Sequence, residues 1–346
     1  MPSSATDTTQ NGVMADSPPT ARVALALGSG GARGYAHIGV IHELRERGYE
    51  VVGVAGSSMG ALVGGLHAAG SLDEFADWAK TLTQRAVLRL LDPSITAAGV
   101  LRAEKILDAV RDMLGDATIE SLPIPYTAVA TDLITGKSVW LQRGPVDAAI
   151  RASIAIPGII APHVLDGRLL ADGGILDPLP MAPIAAVNAD LTIAVSLGGA
   201  GSDAVQDQSD GPETRATTEW LTRLLRSTSA LLETAPAKSV RSRFGAAEES
   251  GEEVDDSDQD STDQLVDSSR EASIPKLGSF AVMNRTIDIA QAALARHQLA
   301  TYPPDLLIEL PRTACRSLDF HRAAELIDLG HELAAQALDT LKSETP

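Results

Sequence analysis

Three glycine-bearing motifs hold the residues best placed to do chemistry. The first is Gly56-Ser57-Ser58-Met59-Gly60. It follows an apolar run, Val51-Val52-Gly53-Val54-Ala55, and precedes a small-residue segment, Ala61 to Ala69, closed by Gly70. That is a strand, a tight turn and a helix. In such a turn the flanking residues must be small, the serine is forced into a strained conformation, and its hydroxyl projects. The amides at the start of the helix favour negative charge developing beside it. Ser58 is therefore a candidate nucleophile. The competing reading is a plain strand-to-helix turn.

The second motif, Gly28-Ser29-Gly30-Gly31-Ala32-Arg33-Gly34, also lies between a strand (Val23 to Leu27) and a helix (Gly34 to Arg47, stopped by Gly48). Its glycines let several backbone N–H groups converge on one anion. That anion is either the oxyanion of an acyl-transfer intermediate or the pyrophosphate of a dinucleotide. The spacing opposes the dinucleotide. A G-x-G-x-x-G run starting at Gly28 ends on Arg33, and the second strand ends in Gly56-Ser57 where a ribose-binding site needs an acid. The third motif, Asp172-Gly173-Gly174, reads alone as a turn. It gains meaning only beside the other two.

The elements positioning these motifs alternate strand, helix, strand, helix with short loops, which implies a parallel sheet covered on both faces. Tyr126 to Thr131 and Leu191 to Leu197 read as further strands, and Val164 to Leu170 contains the hairpin turn Asp166-Gly167. Helices are expected at Phe280 to His297 and Phe320 to Leu341, with a strand at Asp305 to Leu310. Residues 1–21 read as a disordered leader without the features of a secretory signal. Residues 22–200 form the expected core and 278–346 complete it. Between them, 201–277 reads as an acidic, largely disordered insert.

Composition narrows the function. The chain has 346 residues and a net charge of −18. Eleven acids against Arg270 put −10 of that in residues 246–271. With aromatics at 3%, stacking platforms for nucleic acid are not expected, and a polyanion is repelled. Cys315 is the only cysteine, so no intrachain disulfide forms, which fits a reducing cytoplasm. No H-x-x-x-H or C-x-x-C cluster suggests a metal site. No apolar run reaches 18 residues, so no membrane span is expected. A helix at 217–234, with Trp220, Leu221, Leu224 and Leu225 on one side and Arg223 and Arg226 nearby, suits core packing or an interface better than lipid contact.

The motifs Leu27-Gly-Ser-Gly-Gly-Ala-Arg-Gly-Tyr-Ala-His-Ile-Gly-Val40, Gly56-Ser-Ser-Met-Gly60 and Asp172-Gly-Gly174, in this order, resemble the patatin-like phospholipases, in the bacterial branch related to neuropathy target esterase. Asp305-Leu-Leu-Ile-Glu and Asp319-Phe-His-Arg-Ala-Ala-Glu resemble that branch too. The resemblance implies a three-layer α/β/α fold with a mainly parallel sheet, and hydrolysis of lipid or other acyl esters by a Ser–Asp dyad without a cofactor. By position it makes Ser58 the nucleophile and Asp172 the proton acceptor. It makes Gly30, Gly31, Ala32 and Arg33 the oxyanion hole, supported by Gly28, Gly34, Gly56, Gly60, Gly173 and Gly174. Ser29 departs from the pattern, since many members have glycine there.

A Ser–Asp–His triad is the rival mechanism. His297, His321 and His331 follow Asp172, but each falls on or at the start of a helical pattern. His163 stands beside the hairpin leading to Asp172, and His37 and His67 suit packing near the two loops. A catalytically weak member with a binding or regulatory role would be expected to have lost part of the dyad or Arg33, yet all three are present. The expected setting is the cytoplasm, with peripheral contact at the inner membrane face. The sequence carries no signal of oligomeric state.

Overall fold

The computed structural model describes residues 21–90, 104–157, 159–199 and 279–344. The leader (apart from Ala21), the acidic segment and the 217–234 helix expected from sequence lie outside the described residues. Two compact units form: Met1–Asp203 with Met283–Pro346, and Ala204–Val282. The second lies almost wholly outside the described residues, and the sheet and site belong to the first.

In chain order the elements are β1 (Arg22–Leu27), α1 (Ala36–Glu46), β2 (Glu50–Ser57), α2 (Met59–Ala69), α3 (Leu72–Lys80), α4 (Gln84–Leu90), α5 (Glu104–Leu114), β3 (Tyr126–Asp132), β4 (Lys137–Leu141) and α6 (Val146–Ser153). Then come β5 (His163–Leu165), β6 (Arg168–Asp172), β7 (Leu191–Gly199), α7 (Ser279–Thr301), β8 (Leu306–Pro311) and α8 (Ala323–Glu344). The glycine loop winds into a 3-10 turn, Gly31–Tyr35, which leads into α1.

The strands form one sheet in the order β5-β6-β3-β2-β1-β7-β8, with β4 also paired to β3. The pairs β3-β2, β2-β1, β1-β7 and β7-β8 are parallel; β3-β4, β3-β6 and β5-β6 are antiparallel. Strand β1 shows how the layers arise. Val23, Leu25 and Leu27 enter one core with residues of α1, α2, α3, α5, α6 and α8. Ala24 and Ala26, pointing the other way, enter a second core with Leu179, Met181 and Ile184, against which Ala295 and Leu299 of α7 pack. Alternation along a strand buried on both faces thus yields the three-layer α/β/α arrangement.

The register places the chemistry. Strand β2 pairs with residues 126–129 of β3, β4 with 128–132 and β6 with 130–132. A strand has two edges, and β4 overlaps both of the others. Strands β2 and β6 therefore share the opposite edge of β3 and run toward each other along it. Their last residues take adjacent positions, Ser57 opposite Val129 and Asp172 opposite Ala130. Two residues 114 apart in sequence, Ser58 and Asp172, are brought together this way. The antiparallel turn back to β6 is tight: Asp166 and Gly167 both have positive φ, 49° and 73°, as a two-residue hairpin requires.

Candidate active site

Ser58 is the N-cap of α2, with φ 56° and ψ −122°. Apart from Asp166 it is the only non-glycine with positive φ among the described residues. The turn holds this conformation from both sides. A Cβ at Gly56 would strike the Gly60 carbonyl, and one at Gly60 would strike the Leu27 carbonyl at the end of β1. The bare backbone at Gly60 is what lets the elbow lie against the start of the glycine loop. Gly34 packs against Met59 in the same way, so the loop and the elbow meet at two points.

The Ser58 hydroxyl donates to Asp172 Oδ2 at 2.5 Å. The other carboxylate oxygen, Oδ1, accepts the Gly174 N–H at 2.7 Å. The Asp172 backbone is fixed by its N–H to Ala155 O at 2.9 Å and by Thr131 Oγ1, which donates to its carbonyl at 3.0 Å. Ser58 and Asp172 are both buried. Burial pushes the Asp172 carboxyl up from 3.8 to about 6, opposed by the hydrogen bonds from Ser58 and Gly174. Desolvation favours the neutral acid, and the two donors restrain the shift.

Ser153, at the end of α6, is a site residue that sequence reading misses. Its hydroxyl accepts the Ser58 N–H at 2.9 Å and donates to Val129 O at 2.6 Å, tying the elbow to β3. A serine among alanines at a helix end carries no local signal for this. Asp177 was missed too. It is buried, its Oδ1 has no hydrogen-bond partner among the described residues, and burial raises its carboxyl to about 6. Its N–H bonds back to Gly173 O at 2.9 Å, closing the turn after Asp172.

In the glycine loop, Gly28 N–H donates to Val195 O (3.0 Å), Ser29 N–H to Pro178 O (2.8 Å) and Ala32 N–H to Ser317 O (2.9 Å). Among the described residues the amides of Gly30 and Gly31 make no such loop bond. Gly31 has φ 57°, and a Cβ there would strike the Ser317 carbonyl. Arg33 is buried, and its Nε donates to Gly30 O at 3.2 Å. Across a trans peptide the carbonyl and the following N–H point oppositely. Arg33 thus fixes the direction of the Gly31 N–H by holding the Gly30 carbonyl. The guanidinium also faces Ser317 Oγ (3.4 Å) and Asp288 of α7 (3.6 Å). Ser29 is accommodated: its hydroxyl reaches Gln291 of α7 at 3.3 Å, and Gly174 leaves it room. Behind the loop, Ser29, Arg33, Leu197, Gln291 and Arg312 line a cavity of about 30 Å³. That is room for water but not for an acyl chain.

Among the described residues no histidine hydrogen-bonds Ser58 or Asp172. His37 is fully buried, and its Nε2 donates to Gly28 O at 2.8 Å; burial lowers its pKa to about 4. It is a neutral support of the loop. Burial also lowers His67 to about 4, and His163 sits at the start of β5, paired with Leu170. His297 lies on α7 and His321 in the 3-10 turn before α8. His331, on α8, meets Glu43 and Glu46 of α1 at 2.9 and 3.2 Å. These three form the one metal-like group among the described residues. Glu43 also pairs with Arg47, and the group lies apart from the dyad.

Residues 25–185 match the sequence model of the family described as patatin-like phospholipase. An NTE family protein of Mycobacterium tuberculosis is 66% identical over 336 residues, covering 93% of this chain and 92% of its own length. The neuropathy target esterase of Drosophila melanogaster is 32% identical over 183 residues, which is 51% of this chain and 13% of that protein. Among solved structures, VipD from Legionella pneumophila aligns with a TM-score of 0.42 at 16% identity, over 93% of this chain and 67% of that one. The chain belongs to the patatin-like phospholipase family, in its NTE branch.

Proposed function

We propose that the chain is a serine acyl hydrolase that cleaves carboxylic esters of lipids through Ser58 and Asp172. The carrying observation is the 2.5 Å hydrogen bond from the Ser58 hydroxyl to a carboxylate raised to about 6. A free aspartate, near pKa ~3.9, is a poor base at neutral pH, where the ideal lies near ~7. Burial closes most of that gap. Asp172 takes the hydroxyl proton as Ser58 Oγ attacks the ester carbonyl carbon. The Gly30 and Gly31 amides receive the oxyanion, narrowing the four-residue hole expected from sequence, because the Ala32 N–H is already bonded. Arg33 acts on this hole through the Gly30 carbonyl. The protonated Asp172 returns its proton to the departing alcohol. It next takes a proton from water as the water oxygen attacks the acyl-enzyme carbonyl, and returns that proton to Ser58 Oγ as the acid leaves, which restores the carboxylate. The family's description as phospholipases supports lipid esters as the substrate class.

The test is fluorophosphonate labelling together with hydrolysis of short-chain p-nitrophenyl esters. Wild type should label and turn over. Ser58→Ala should do neither, and Asp172→Asn should lose about 10³-fold in kcat with its fold intact. A Ser58→Ala variant that retains full turnover would place the nucleophile elsewhere.

A further inference from the structure

The cavity behind the glycine loop is walled by hydrogen-bond donors that lack acceptors. Arg33 comes from the loop, Ser196 from β7, Asp288 and Gln291 from α7, and Arg312 from the turn after β8. Arg33 donates from Nε to Gly30 O, and its Nη2 faces Ser317 Oγ and Asp288. Among the described residues its Nη1 has no partner. Arg312 donates from Nε to Gly198 O at 3.1 Å, and among the described residues its two terminal nitrogens bond to nothing. The Ser196 hydroxyl oxygen accepts the Gly198 N–H at 3.4 Å, but its proton finds no acceptor among the described residues. Gln291 Oε1 is taken by the Ser29 hydroxyl, which leaves the Gln291 Nε2 protons in the same condition.

Charge points the same way. Two guanidinium groups line the cavity against one carboxylate, Asp288. That carboxylate is 34% exposed and stands 3.6 Å from Arg33, whose side chain is 6% exposed. Burial lowers the Arg33 guanidinium below its ordinary value; Asp288 opposes this, and the nearby charge of Arg312 adds to it. Both arginines stay charged at neutral pH. The cavity is therefore net positive inside a chain of net −18. What it lacks is an anion with several acceptor atoms. Its room, about 30 Å³, is that of about two waters, which suits a phosphate group and excludes a chain.

We propose that this cavity binds the oxygens of a phosphate group, from a lipid headgroup or from free phosphate, and that the bound anion steadies Arg33 and with it the Gly30–Gly31 peptide. The donors come from four parts of the chain, the loop, β7, α7 and the turn after β8. A tetrahedral oxyanion offers acceptors in several directions at once, and arginine is the side chain that best pairs with it. Water in the same space would satisfy donors but leave the charge unbalanced. The effect on the peptide rests on the reading of Gly30 and Gly31 as the oxyanion hole; the binding of the anion does not.

The experiment titrates the full chain, in phosphate-free buffer at constant ionic strength, with inorganic phosphate and separately with glycerophosphocholine, a soluble phosphodiester headgroup. Calorimetry should show saturable binding of at least one of them, and none of chloride. Tighter binding of glycerophosphocholine assigns the anion to lipid; tighter binding of phosphate assigns it to the free ion. Arg312→Gln should weaken the binding about tenfold or more, and Arg312→Lys should restore part of it. Both variants should keep their circular dichroism, since Arg312 is half-buried and bonded to the fold through one carbonyl. Turnover of p-nitrophenyl acetate, which carries no phosphate, should rise and level off over the concentrations at which the anion binds wild type. In Arg312→Gln that rise should need about tenfold more anion. The site is overturned if neither probe binds saturably, or if Arg312→Gln binds as tightly as wild type. Saturable binding with unchanged turnover would overturn the link to the loop. Anion binding by a protein that hydrolyses no ester would leave the site standing and remove the hydrolase reading.

Discussion

The backbone at Ser58 costs about 1–3 kcal/mol for a residue that carries a side chain, and the buried carboxylate at Asp172 adds a second cost. Both fall on residues that touch each other, where the proposed chemistry repays them. The titration of Asp172 makes this measurable, because catalysis and stability respond to it with opposite signs. As a base it must be ionised, so kcat/KM should rise tenfold per pH unit on the acid side and level off above about 6. For stability, the folded chain keeps the proton up to about 6 while the unfolded chain releases it near 3.8. Stability contributed by this group is therefore lost as pH rises between those values, and the deficit is constant above them. Asp172→Asn removes the charge, so at pH 7 it should stabilise the protein by up to about 3 kcal/mol while lowering kcat about 10³-fold. In calorimetry at neutral pH and near pH 4, the gap between variant and wild type should close in acid. A gap that stays constant with pH would mean that burial of the charge is not its source.

Among the elements, the crossing of α1 and α8 decides how firmly the glycine loop is held. Gly39 and Gly330 lie where each helix passes the other's backbone: a Cβ at Gly39 would strike the Ile327 carbonyl, and one at Gly330 the Ala36 carbonyl. The segment leading into α8 supplies the Ser317 carbonyl that takes the Ala32 N–H. Helix propensity alone favours alanine over glycine by about 1 kcal/mol, but backbone cannot yield as a side chain does. Gly39→Ala and Gly330→Ala should each destabilise by a net 1–3 kcal/mol or so, read as a lower denaturant midpoint, with slower ester turnover as the loop loosens. A neutral or stabilising result at either position would mean the helices run further apart than described. This scale also marks what sequence can carry. The glycine loop, the elbow and the Asp166-Gly167 turn were legible because each is a local backbone demand that few residue types meet. The β3–β4 hairpin was not read, although Val139 and Leu141 alternate with Trp140 behind Gly136, because five residues give too short a period to separate from loop. Ser153 was not legible at all, since its role exists only once α6 lies over β3.

For the whole molecule, the family's sequence signature and the folded core have different extents. The matched segment stops at residue 185, but the sheet does not. Strand β7 pairs with β1 over five registers and with β8 on its other edge. Ile308 and Leu310 of β8 and Leu326, Ala334 and Leu338 of α8 are almost fully buried. The elements beyond the signature therefore share the sheet and the core; from sequence they read as the strand Leu191 to Leu197 and, after a long polar gap, two helices with a strand between them. Removing residues 302–346 tests this. Truncation strips β8 from the edge of β7, uncovers the apolar face of α1 and takes away the Ser317 carbonyl that anchors the loop. Losing the buried Ile308, Leu310, Leu326, Ile327 and Leu338, at about 1.5–3 kcal/mol each, is comparable with the whole ~5–15 kcal/mol by which a domain is stable. The truncated chain should lack a cooperative thermal transition and near-ultraviolet circular dichroism, and it should not react with fluorophosphonate. A truncated chain that still melts cooperatively near the wild-type temperature would show the reverse: that the sheet is complete at β7, and that the C-terminal strand and helix are an appendage to an independently stable core.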